Sequence, residues 1–437
     1  MRYRSVLLAA CLAWPALASA ADCRQAVLEQ LGWQFERVPA RAEVHVHGGP
    51  VCDRADLAQA QAGGDLRVQI PATLSPARHD ALMQQLLQHP ATVCAYGFQL
   101  GAAARRAAQA LQDNPGYRFS GLQMGWIGFG LRGSRAQGWQ RTRSFGRGYQ
   151  PAGSNSRAVD AFYAGTVRSE CGVGRQVAQL ATQRELYGDA AFDQAFTAQE
   201  LSIGTFIGLH DTDSILLGHH AGTMFGDGKA VRTAAMGRQA FMGVPGYLVH
   251  AFDAQTLDDL NNQAENFIVV DVGPQAAQQL RSHGGFAYYD ARNRELWALS
   301  RQVPRRGVAF FERLLVAHDP RLRAALQPEQ ADVVARMDAL LADPFYQQFL
   351  IYSHPRGIKP IGAHVARLLD RNPRTPYEIE LTRHNLHTTL YQRWLQSRLQ
   401  QCQAAQGARR PVSVTARPAP RAQARVTTQE DPPWTLQ

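Results

Sequence analysis

The fold reading turns on Phe162-Tyr163-Ala164-Gly165-Thr166-Val167-Arg168-Ser169-Glu170-Cys171-Gly172-Val173-Gly174-Arg175-Gln176-Val177-Ala178. Beyond Gly174, the residues Val177, Ala178, Leu180 and Ala181 recur at helical spacing. This predicts an amphipathic helix with Cys171 in its first turn and Ser169 as its cap. The position matters chemically. Free backbone N–H groups and the positive helix end stabilise a thiolate. The same groups can hold the oxyanion formed when a carbonyl is attacked. Gly172 lets a substrate backbone come close, and Arg175 and Gln176 are the polar candidates for substrate contact. The plainer alternative is an inert core cysteine, since cysteine is among the most buried residue types. Against it stand the polar neighbours Ser169, Glu170, Arg175 and Gln176.

A nucleophilic thiol needs a base. His250 closes the apolar run Gly246-Tyr247-Leu248-Val249-His250, which reads as a strand after Gly243-Val244-Pro245. A second strand follows at Phe267-Ile268-Val269-Val270 and ends in Asp271, placed to orient an imidazole as the third member of a triad. Asn262 and Asn266 are rival orienters. His283, in Ser282-His283-Gly284-Gly285-Phe286, is the rival base. The plain readings are a core histidine for His250 and a strand-end cap for Asp271.

Cysteine at a helix start, then histidine on a strand, then an acid or amide on the next strand resembles the papain-like superfamily. Gly243-Val244-Pro245 before a strand is similar to the proline turn of transglutaminase-like domains, and the segment around His283 resembles the histidine strand of the cell-wall amidase and endopeptidase branch. The resemblance covers residues 162–297. It implies an α+β fold with a papain-like or transglutaminase-like core. It also implies thiol-mediated acyl transfer, with Cys171 as nucleophile, His250 as base, Asp271 as orienter and no cofactor.

Outward from this core the chain divides by composition. Arg2 and Arg4, the apolar run Val6–Leu17 and Ala18-Ser19-Ala20 read as a secretory signal of the bacterial type over residues 1–20. The apolar run falls short of the roughly 20 residues needed to span a bilayer. The expectation is an exported protein, periplasmic or secreted, and soluble. Residues 21–115 read as a mixed α/β domain, with a strand-like run at Ala91–Leu100 before a helix. Residues 116–158 form a Gly/Arg-rich linker or cleft loop, residues 159–303 the catalytic core, and residues 304–402 a helical C-terminal region. Residues 403–437 form a disordered tail rich in Ala, Arg, Pro and Gln. The 437 residues carry 46 basic and 36 acidic side chains, a net charge of +10. The basic stretch lacks the aromatic spacing of a stacking platform, so nucleic acid is not expected as a partner. The basic tail suits weak contact with an anionic envelope surface.

Six cysteines less Cys11 of the signal leave five. In an oxidising compartment an odd count leaves one thiol over. The expected pairs are Cys23–Cys52 and Cys94–Cys402, with Cys171 free.

A metal site is the competing chemistry. His210, Asp211, Asp213 and His219, with Asp227 further on, offer zinc-type ligands without a recognised spacing. Further on, Ser353-His354-Pro355-Arg356-Gly357 and Arg383-His384 are polar spots between expected helices, and Arg356 and Arg383 suit a carboxylate or phosphate. Three functions remain open from sequence. The first is cysteine-dependent acyl transfer on a peptide, protein or peptidoglycan-derived amide. The others are a non-enzymatic periplasmic binding or scaffold protein and a metal-dependent hydrolase.

Overall fold

The computed structural model describes residues 20–38, 43–47, 67–71, 73–119, 137–142, 148–204, 214–218, 233–251, 263–304, 320–370, 375–381 and 390–409. The fold is mixed α+β, and its organising element is a five-stranded antiparallel sheet. The small strands come first: β1 (Gln34–Val38), β2 (Glu43–His47) and β3 (Arg67–Pro71) form one sheet. β4 (Tyr117–Phe119) pairs in parallel with β7 (Val167–Ser169), and β5 (Trp139–Arg141), β6 (Gly148–Pro151) and β8 (Ile203–Gly204) form a third sheet. The central sheet is built from β9 (Pro245–His250), β10 (Gln263–Val272), β11 (Phe349–Ser353), β12 (Gly357–Pro360) and β13 (Tyr377–Leu381), in the order β12-β11-β10-β9-β13.

Helices cover both faces of this sheet. Side chains alternate along a strand, and β10 divides its apolar residues accordingly. Ile268 and Val270 pack in one core with α3 (Pro90–Asp113) and α5 (Cys171–Tyr187). Phe267, Val269 and Val272 pack in the other, with helices Pro274–Ser282, Phe286–Ser300 and Ile361–Asp370.

Burial on both faces also explains two expectations the structure overturns. Strands covered on both sides read as continuous apolar runs, and a short run of this kind looks the same in a buried helix. Pro344–Leu350 reads from sequence as a helix; the helix ends at Gln348 and Phe349–Ser353 is β11, and with β12 and β13 the C-terminal region supplies three of the sheet's five strands. Conversely, Ala91–Leu100, expected as a strand, is the first half of α3. Pro90 opens that helix and His89 caps it, Nδ1 accepting the Ala91 N–H at 3.1 Å. Small residues at Gly97, Gly101, Ala104 and Ala108 keep one face of α3 narrow enough to lie buried. Within the region expected to be helical, helices Pro328–Leu341 and Ile361–Asp370 are present.

The disulfide pairing also differs from expectation. Cys23 of α1 (Ala20–Gln30) bonds to Cys402 of helix Tyr391–Arg409 with Cα atoms 5.6 Å apart, because the two helices pack together. Cys23–Cys52 and Cys94–Cys402 are therefore replaced. Cys94 is disulfide-bonded as well, and Cys52 lies outside the described residues. Cys171 is the free cysteine among the described residues. Among those residues no helix is long and apolar enough to cross a membrane.

Candidate active site around Cys171

Cys171 is the first residue of α5, as its sequence pattern predicts. The cap is not Ser169, whose Oγ lies 2.7 Å from the Tyr117 hydroxyl, but Glu170. The Glu170 carboxylate folds back over the helix end. Its Oε2 accepts the Gly172 N–H and its Oε1 the Val173 N–H, both at 2.6 Å. Gly172 makes this possible: a Cβ there would lie 2.5 Å from Glu170 Oε1. The two backbone donors expected to hold an oxyanion are thus occupied by the protein's own carboxylate.

The sulfur lies between a donor and an acceptor. Asn266 Nδ2 donates to Sγ at 3.3 Å, and the thiol donates to Glu170 Oε2 at 3.4 Å. The Asn266 backbone N–H also faces the sulfur. Burial pushes the Cys171 thiol up to about 12, with the Glu170 charge adding to it, the Asn266 hydrogen bonds opposing it and Glu265 adding slightly. The resting group is a neutral thiol.

The expected partners lie elsewhere. Asn266 stands opposite Tyr247 on β9, and the Arg175 guanidinium lies over the Tyr247 ring at 5.0 Å. His250 is three residues further along β9. That is roughly 10 Å at the strand rise and, by alternation, on the other face. There its Nδ1 meets Thr375 Oγ1 at 3.2 Å and its ring approaches Tyr377 at 4.8 Å. Asp271 pairs with Arg105 of α3 at 3.3 Å. His283 follows helix Pro274–Ser282 rather than lying on a strand, and it stacks on Tyr288 at 4.1 Å. Gln176 is a clamp: its amide accepts from Gly204 N–H and donates to Gly204 C=O, each at 2.8 Å, holding β8 against α5. His210, Asp211, Asp213 and His219 lie outside the described residues, as do Asp227, Asn262 and Arg383. Among the described residues no group of His, Cys, Asp and Glu is arranged to hold a metal ion.

Other groups take the expected places. His354, just after β11, packs on Gly174, one turn along α5 from the cysteine, so tightly that a Cβ at Gly174 would lie 2.4 Å from the His354 Cβ. Its ring stacks on Tyr117 at 3.9 Å and it is 3% exposed. Burial lowers its pKa to about 4, against a weaker opposing effect of the Arg118 and Ser169 backbone, so the imidazole is neutral.

On the other face of β10, next to Asn266, lies Glu265, 3% exposed. Its Oε1 meets His364 Nδ1 at 3.0 Å and its Oε2 accepts from Arg367 Nη2. Burial alone would raise the Glu265 pKa. His364, by hydrogen bond and charge, and then Arg367 outweigh it and pull it down to about 2.

Of the groups whose role the sequence did not show, three carried a local signal. Glu170 directly precedes the cysteine. His364 and Arg367 are spaced three apart on an amphipathic helix. Their union with Glu265 had none, at separations of 99 and 102 residues. No protein-family model, no curated protein and no solved structure matches this chain.

Proposed function

We propose that the chain is an exported cysteine-dependent acyl-transfer enzyme, acting by hydrolysis or transamidation on an amide of a peptide, protein or cell-wall fragment. The observation that carries this reading is the free Cys171 thiol held between the Asn266 amide and the Glu170 carboxylate at the start of a long helix. In this reading Glu170 takes the thiol proton as sulfur adds to the substrate carbonyl carbon. Asn266 steadies the charge on sulfur. The proton passes from Glu170 to the leaving amine as the C–N bond breaks, leaving a thioester on Cys171. Water or a second amine then releases the acyl group. A cysteine-led helix packed on an antiparallel sheet supports the papain-like part of the reading.

A second reading, a non-enzymatic envelope binding or scaffold protein, is favoured by one specific observation. The thiol is raised to about 12 and the helix N–H groups beside it are taken by Glu170.

Intact-mass measurement after exposure to p-nitrophenyl acetate separates the two. Acyl transfer gives one acetyl group that peptide mapping places on Cys171 and that is lost in Cys171→Ala. A native protein that takes no acetyl group, while iodoacetamide labels Cys171 after unfolding, supports the scaffold reading.

A further inference from the structure

Residues 353–367 gather basic groups around one carboxylate. His364 and Arg367 lie one turn apart on helix Ile361–Asp370, so both reach Glu265. Each Glu265 oxygen is then in use, and donors are left over. His364 Nε2, on a side chain 1% exposed, is buried with no hydrogen-bond partner. Arg367 Nε and Nη1 are likewise buried and unpartnered. Arg356 stands on the turn between β11 and β12, and its guanidinium has no ion-pair or hydrogen-bond partner among the described residues. It is close enough to feel both charges: burial and then Arg367 lower its pKa, and Glu265 opposes them. The Arg356 guanidinium adds a second positive charge beside the one Arg367 sets against Glu265. The His364 and Arg367 donors are withdrawn from water without partners, which is costly, and an anion bridging them to the exposed Arg356 would complete them. Glu265 disfavours a second full negative charge here, which selects a monoanion over a dianion. The cluster is one residue along β10 from Asn266, which holds the Cys171 sulfur.

We propose that Arg356, Arg367 and His364 form a binding site for a small carboxylate on the face of the sheet opposite Cys171.

The test uses the full chain carrying Cys171→Ala, so that binding is read without thiol chemistry. The probes are N-acetyl-alanine, N-acetyl-alaninamide and inorganic phosphate at matched ionic strength, followed by calorimetric titration and by the thermal midpoint. N-acetyl-alanine should bind and raise the midpoint, while the amide should do neither. Arg356→Gln should weaken binding about tenfold, the effect of one charged hydrogen bond, and leave the ligand-free midpoint in place. Equal behaviour of acid and amide, or unchanged binding in Arg356→Gln, would overturn the site. Phosphate binding as tightly as N-acetyl-alanine would overturn its selectivity for carboxylate. Carboxylate binding in a chain whose native Cys171 takes no acetyl group would sink the proposed function and leave the site standing.

Discussion

Glu265 and Asn266 are neighbours on one strand and live in opposite chemistries. Asn266 faces α5, where a neutral thiol sits between the Asn266 amide and the capping Glu170 carboxylate and a neutral imidazole stacks on Tyr117. Glu265 faces helix Ile361–Asp370, where a carboxylate is surrounded by more basic donors than it can satisfy. The alternation of a strand makes this possible. A shift of one residue exchanges a low-charge cradle for a charged cluster. The two faces should therefore respond differently to truncation and to pH.

Truncation should give the largest contrast. Glu265→Ala strands Arg367 and His364 without their shared carboxylate, and loss of one partner of a buried ion pair costs about 3–5 kcal/mol. Asn266→Ala removes a hydrogen bond to sulfur and should cost about 1 kcal/mol. Urea unfolding of the two variants measures both, and similar small losses would break the distinction between the faces.

The pH response should be smaller and should separate the faces along the pH axis. His354 binds fewer protons folded than unfolded between its ordinary 6.5 and its folded value of about 4. Stability should therefore fall as the pH drops through that window, by at most about 3 kcal/mol. Glu265 is also displaced downward, from 4.5 to about 2, so its window lies lower on the pH axis. Its contribution is intact above about pH 4.5 and is lost as the pH falls toward 2. His354→Phe, which keeps a ring against Tyr117, should flatten the loss between pH 6.5 and 4 relative to the native chain. An unchanged slope would remove His354 as its source.

What could be read from the sequence follows the same physical divide. The helix opening at Cys171, its free thiol, and the strands ending at His250 and near Asp271 all rest on local periodicity and on cysteine parity. The tertiary partners of those residues were not legible. Strand order placed Tyr247, rather than His250, opposite Asn266, and no periodicity encodes register. Phe349–Ser353 and Ala91–Leu100 misled because a run buried on every side loses the pattern that separates strand from helix. Glu170 was visible as a polar neighbour, but its turn back onto Gly172 and Val173 depends on the absence of a side chain at Gly172.

The most direct measurement is the rate of Cys171 alkylation by iodoacetamide between pH 6 and pH 10, in the native chain and in Glu170→Gln. With the thiol raised from 9.0 to about 12, reaction at pH 7 should be about a thousandfold slower than for an ordinary thiol, because only the thiolate reacts. The rate should climb about tenfold per pH unit across the whole range, and Glu170→Gln, which removes a neighbouring negative charge, should react faster at every pH. A plateau near neutral pH in the native chain would show a preformed thiolate and contradict a neutral, cradled thiol that gives its proton to Glu170.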